Sequence, residues 1–171
     1  MKNKLVFVDA ETDGLYGGFL TVALMATDFS GQEIERAYYG IRNDKINITD
    51  SWTTEYVLSI LGEYQSCEDE RELLEKVWTF WVKYADDAYA IADVAFPVES
   101  RLWAKCVSVD EQKRKRMAPY PLLDLSSLLL ARGYDPLVER KSILQKIPKG
   151  IMHNAMYDVE VSVMIWRERI M

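Results

Sequence analysis

The sequence predicts an α/β domain on a mixed β-sheet, and three observations carry that prediction. Three β-rich runs come first, separated by short Gly-containing turns, which makes an antiparallel meander. Helical periodicity begins only after residue 53 and then alternates with shorter apolar runs. One of these, Ala88-Tyr89-Ala90-Ile91-Ala92, is apolar throughout, as a central strand covered on both faces must be.

Taken in order, Lys4 to Val8 is the first strand, and Gly17-Gly18 separates it from a second, well-buried strand over Phe19 to Asp28. After the turn signal Ser30-Gly31-Gln32, Glu33 to Ile41 alternates as a third strand should. Asn43 to Ser51 is polar and irregular. Thr53 to Tyr64 is expected to be a helix, with Tyr56, Val57, Ile60 and Leu61 on its apolar stripe. Glu68 to about Tyr84 is a stronger helix, with acids early and Leu73, Leu74, Val77, Trp78 and Trp81 as its apolar face. Past the central strand, which ends at Asp93, Pro97 suits the first turn of a helix running through Leu102, Trp103 and Cys106. Pro119 to Asp124 reads as one more short strand and Ser126 to Arg132 as a short helix stopped by Gly133. The last helix spans Ala155 to Arg169. The order β-β-β-α-β-α-β-α belongs to a mixed sheet flanked by helices.

Composition narrows the function classes. The 171 residues suit a single domain, 1–171, with no repeat or low-complexity linker. No apolar run approaches the roughly 20 residues of a membrane span, so no membrane partner is expected. The start leads straight into a strand, leaving no room for a signal peptide. Cys67 and Cys106 read as free thiols in a reducing, cytoplasmic setting. The net charge of −6 argues against a general electrostatic grip on duplex DNA. A local cationic track remains open, and Lys113-Arg114-Lys115-Arg116 with Arg101 and Lys105 is its candidate. A solvated helix end explains that run equally well.

Two stretches carry chemistry. The first strand ends in Asp9-Ala10-Glu11, whose i, i+2 spacing sets both carboxylates on one side of an extended chain. Two like charges at the end of a buried strand are costly to desolvate unless a hard divalent cation lies between them. Thr12 and Gly14 then allow a sharp exit and close backbone approach. A solvated Asp-Gly turn is the plain alternative for this stretch alone. The second stretch is His153-Asn154-Ala155-Met156-Tyr157-Asp158. Asp158 lies in the early turns of the last helix, where the dipole favours a carboxylate, and His153, the one histidine, precedes it on a loop.

Together, a strand ending Asp-x-Glu-Thr, an apolar strand ending in Asp, and a terminal His-Asn-Ala-x-x-Asp helix resemble the three motifs of the DEDDh 3′–5′ exonucleases of the ribonuclease-H-like superfamily. This group includes the proofreading subunit of DNA polymerase III, ribonuclease T and oligoribonuclease. The resemblance runs from Leu5 to about Trp166 and implies a ribonuclease-H-like sheet. It also implies Asp9, Glu11 and Asp158 as ligands of two Mg²⁺ or Mn²⁺ ions, and His153 as the base. Thr12 to Leu15, with Thr12, Gly14 and Leu15 as substrate-binding residues, match the turn that holds the terminal nucleotide. The implied reaction is hydrolysis at the 3′ end of single-stranded DNA or RNA, releasing nucleoside 5′-monophosphates. A homodimer is compatible with the resemblance.

The middle motif departs from the pattern. Where the family carries its second metal-binding Asp, this chain has Pro97, within Ala92-Asp93-Val94-Ala95-Phe96-Pro97. Asp93, at the carboxyl end of its strand, is the expected replacement, with Glu99 in reserve. Two rivals belong to other classes. A haloacid-dehalogenase-type phosphatase fits poorly, because its second acid is usually Asp and it needs a late acidic pair on a strand. A catalytically decayed binding module on the same fold is the reading that Pro97 favours. Nothing distinguishes DNA from RNA, since that choice rests on contacts to a 2′-hydroxyl.

Overall fold

The computed structural model describes all 171 residues. Its six-stranded sheet has the order β4-β3-β2-β1-β5-β6. The strands are β1 (Lys4–Thr12), β2 (Phe19–Asp28), β3 (Glu33–Ile41), β4 (Gln65–Cys67), β5 (Ala88–Ala92) and β6 (Leu122–Asp124). As the turn signals require, β1 pairs antiparallel with β2 and β2 with β3. The β1–β5, β5–β6 and β3–β4 pairs are parallel. The helices are α1 (Ser51–Tyr56), α2 (Glu70–Val82), α3 (Val98–Ser108), α4 (Glu111–Arg114), α5 (Leu125–Ala131) and α6 (Ala155–Ile165), which closes in a π-helical turn, Trp166–Ile170.

Alternation along β1 decides which side chain meets which layer. Val6, Val8 and Ala10 join the apolar cluster under α2 and α3, with Leu73, Val77, Trp81 and Leu102. Leu5 and Phe7 join the opposite cluster under α5 and α6, with Leu125, Leu129, Val159 and Ile165. The sheet is therefore covered on both faces. Asp9 and Glu11 continue the odd-numbered series, so they emerge on the α6 face at the carboxyl end of the strand.

The expected helix over Thr53–Tyr64 differs in the structure. It ends at Tyr56, and after a 3₁₀ turn, Leu58–Ile60, the chain enters the edge strand β4. Tertiary bonds hold the non-helical path that follows. The Ile60 and Leu61 carbonyls accept from the Asn154 side chain at 3.0 and 2.9 Å, and Leu61 also accepts from the Tyr38 hydroxyl at 2.6 Å. Gly62 then takes a left-handed conformation (φ +74°) that turns the chain. Of the expected apolar stripe, Val57 and Leu61 are buried while Tyr56 stays about half exposed.

The basic residues grouped as a candidate track are largely engaged in the fold. Arg114 is buried, bonds the Cys106 carbonyl and Glu75, and lies over the Trp78 ring. Lys113 pairs with Asp110 and Lys105 with Glu70. Arg101 donates to the carbonyls of Leu15, Tyr16 and Gly17, so it secures the turn after β1. No helix is long and apolar enough to cross a membrane.

Candidate metal centre and cleft

Strand β1 and helix α6 bring three carboxylates together. One oxygen each from Asp9, Glu11 and Asp158 lies within 4.8 Å of the others. On α6, the Asn154 side chain caps the helix by accepting from the Tyr157 N–H at 3.1 Å. That cap sets the first turn, and the turn aims Asp158 at the odd-numbered face of β1. His153 sits just outside the cap in a left-handed conformation, φ +66°. Its N–H donates to Asp158 Oδ2 at 2.8 Å, which holds this uncommon backbone geometry. The imidazole is packed edge-on against Trp52 of α1, with ring centroids 5.0 Å apart and planes at 87°.

The turn after β1 is tied to the start of α1. Asp13 accepts from the Thr49 and Asp50 N–H groups, the latter at 2.8 Å. Gly14, at φ +67°, donates to the Thr53 hydroxyl at 3.0 Å. The buried Thr12 hydroxyl donates to the Gly14 carbonyl at 2.6 Å. Of the three residues expected to touch substrate, Thr12 and Gly14 thus shape the turn, and Leu15, 62% exposed, reaches the cleft.

That cleft has a volume of about 510 Å³ and is lined by Asp9, Asp93, Glu99, His153 and Asp158, with Leu15, Phe96, Leu137 and Met152 among its apolar residues. Asp93 and Glu99 both line it and both lie outside the three-carboxylate group. The Asp93 carboxylate is gripped by Arg140, whose Nε and Nη2 donate to it at 2.8–3.0 Å. Glu99, on the first turn of α3, is 5% exposed, and the Ala10 backbone N–H favours its charged form. No local pattern marks Arg140, 47 residues away in sequence, as the partner of Asp93.

The electrostatics are those of crowded, desolvated acids. Asp9 is held well above the ordinary carboxylate range, first by burial and then by the charges of Glu99, Glu11, Asp158 and Asp93. Burial, with help from Asp158 and Glu99, pushes Glu11 up to about 8. Glu99 is also pushed up to about 8, mainly by burial, against hydrogen bonds from its own and the Ala10 N–H that favour the charged form. Burial raises Asp158 to about 6, opposed by the His153 N–H and by Lys141. Burial lowers the pKa of His153, keeping it neutral. All-oxygen donors whose mutual repulsion is relieved by positive charge fit a hard divalent cation.

No family model matches the sequence, and no curated protein matches it by sequence. Solved structures do match the fold. The zinc-bound form of Escherichia coli exonuclease I in complex with single-stranded DNA aligns with a TM-score of 0.68 at 13% identity, covering 98% of this chain. Exonuclease I from Methylocaldum szegediense aligns with a TM-score of 0.62 at 13% identity over 95% of this chain. The chain spans about 40% of the length of these proteins. The chain therefore shares the fold of this part of the two exonuclease I structures.

Proposed function

We propose that this chain is a divalent-cation-dependent 3′–5′ exonuclease acting on single-stranded nucleic acid. The observation that carries the reading is the convergence of Asp9, Glu11 and Asp158 within 4.8 Å, with His153 bonded to the last of them. Sharing a fold with exonuclease I supports it.

We assign the cation ligands to Asp9, Glu11, Asp158 and Glu99. Glu99 replaces Asp93 in that set because it adjoins Asp9 and Glu11 in a buried pocket, whereas the carboxylate of Asp93 is engaged by Arg140. Pro97 is then no sign of decay, since the acid lost there is restored in space two residues later. Bound Mg²⁺ or Mn²⁺ would supply charge neutralisation of the phosphodiester and ease deprotonation of the attacking water. His153, kept neutral by burial, accepts the water's proton. Asp158 holds the histidine backbone, and the edge of Trp52 limits the swing of the ring. Leu15 and Phe96 offer exposed apolar surface on which unstacked bases can rest. The strand leaves shortened by one nucleoside 5′-monophosphate.

Titrating the protein with Mn²⁺ in a calorimeter, then incubating it with single-stranded oligonucleotides labelled at either end, tests this reading. Saturable binding and stepwise loss of 5′-monophosphates from the 3′ end are expected. Absence of Mn²⁺ binding would sink the proposal.

A further inference from the structure

A strand bound at this site must bring its phosphates beside at least four carboxylates, in a chain of net charge −6. Bound cations serve the phosphate being cleaved, so the next phosphate needs its own counter-charge. Only two cationic side chains, Arg140 and Lys141, line the cleft. All three guanidinium nitrogens of Arg140 are already bonded within the fold. Its Nε and Nη2 donate to Asp93, Nη2 also reaches the Ser126 hydroxyl at 2.6 Å and the Pro136 carbonyl, and Nη1 reaches the Val138 carbonyl. Lys141 makes no ion pair, and its ammonium rests 5.2 Å from the centre of the Tyr157 ring. It lines the same cleft as Asp158.

The geometry points to Lys141 as the side chain that binds the backbone phosphate adjoining the one cleaved, positioned there by the Arg140–Asp93 anchor. This rests on the exonuclease reading and deepens it. The anchor pins the 3₁₀ turn Arg140–Ile143 to the end of β5, so the residue after the arginine is delivered to the cleft wall. The face of Tyr157 orients the ammonium without neutralising it. Asp93 is thereby a positioning residue, acting on substrate through the arginine and its neighbour.

The test uses the full chain, Mn²⁺ and a short single-stranded oligothymidylate. Lys141→Met should raise KM roughly tenfold or more, with kcat changed less, since a charge-assisted bond is lost. The dependence of log KM on log salt should flatten by about 0.7, the loss of one phosphate contact on a single strand. Lys141→Arg should restore both. Mn²⁺ affinity should match wild type in Lys141→Met and in Asp93→Asn, while Asp93→Asn raises KM as the lysine variant does. Unchanged KM and salt slope in Lys141→Met, with wild type cleaving, would overturn the inference. Lost Mn²⁺ affinity in a folded Asp93→Asn would overturn the anchor and make Asp93 a ligand. Should Asp93→Asn fail to fold, the two lysine variants decide alone. Wild type that neither binds Mn²⁺ nor cleaves would instead defeat the exonuclease reading beneath it.

Discussion

The backbone N–H of His153 donates to Asp158 Oδ2 at 2.8 Å, joining the candidate base to a candidate metal ligand through five residues of chain. The contact fixes the loop at φ +66° while leaving the imidazole free to meet substrate. His153→Asn tests the division of labour, because Asn tolerates the left-handed conformation but cannot act as a base. We expect kcat to fall about a hundredfold or more with Mn²⁺ affinity retained. Parallel loss of both would make the histidine a ligand.

The pH dependence of that rate follows from the surroundings of the ring. Burial lowers the pKa of His153, so the acid limb of the pH–rate profile should lie below the ordinary value of about 6.5. Trp52 contributes to that burial. Trp52→Ala should shift the limb upward and cost a few-fold in kcat, the scale of a lost aromatic pair. A limb that stays in place would separate the tryptophan from the histidine's environment.

Crowding of the acids predicts an unusual stability profile without metal. Glu11 and Glu99, at about 8, and Asp158, at about 6, bind protons more tightly folded than unfolded. Between about pH 4.5 and 8 the folded state therefore carries more protons, and stability must fall as pH rises. His153 has the opposite sign, adding stability lost as pH falls below about 6.5, but it is one group against several. The melting temperature in EDTA should be higher at pH 6 than at pH 8, and saturating Mn²⁺ should flatten the slope. A metal-free protein more stable at pH 8 would contradict the carboxylate cluster.

Asp9→Asn should leave the metal-free melting temperature at pH 8 unchanged or raised, because it removes a charge that burial and four neighbouring acids disfavour. Cleavage should be abolished. A large drop in melting temperature would show the aspartate to be structural.

Glu99→Gln and Asp93→Asn should separate ligand from anchor. The first should weaken Mn²⁺ binding and cut activity by at least a hundredfold. The second should lose thermal stability in metal-free protein, because Arg140, 14% exposed in its side chain, is left without a counter-charge. Isothermal titration and melting curves read both. Reversal of the two metal-binding results would return the ligand role to Asp93.

The layers and two corners of the candidate site are legible in local sequence. Alternation along Leu5–Glu11 set Asp9 and Glu11 on one face, and Asn154 ahead of an apolar helix set Asp158 in its first turn, because both depend on neighbours within a few residues. Tertiary structure alone decided the rest. The chain after the helix begun at Ser51 is held out of helical form where Asn154 and Tyr38, remote in sequence, bond the Ile60 and Leu61 carbonyls. Asp93 reaches the expected strand end, yet its carboxylate is held by an arginine from a distant loop, while Glu99 is buried beside the β1 acids. Which acid faces a metal depends on which counter-charge the fold brings to each, and attraction between charges acts through space, over separations in the chain that no local pattern records.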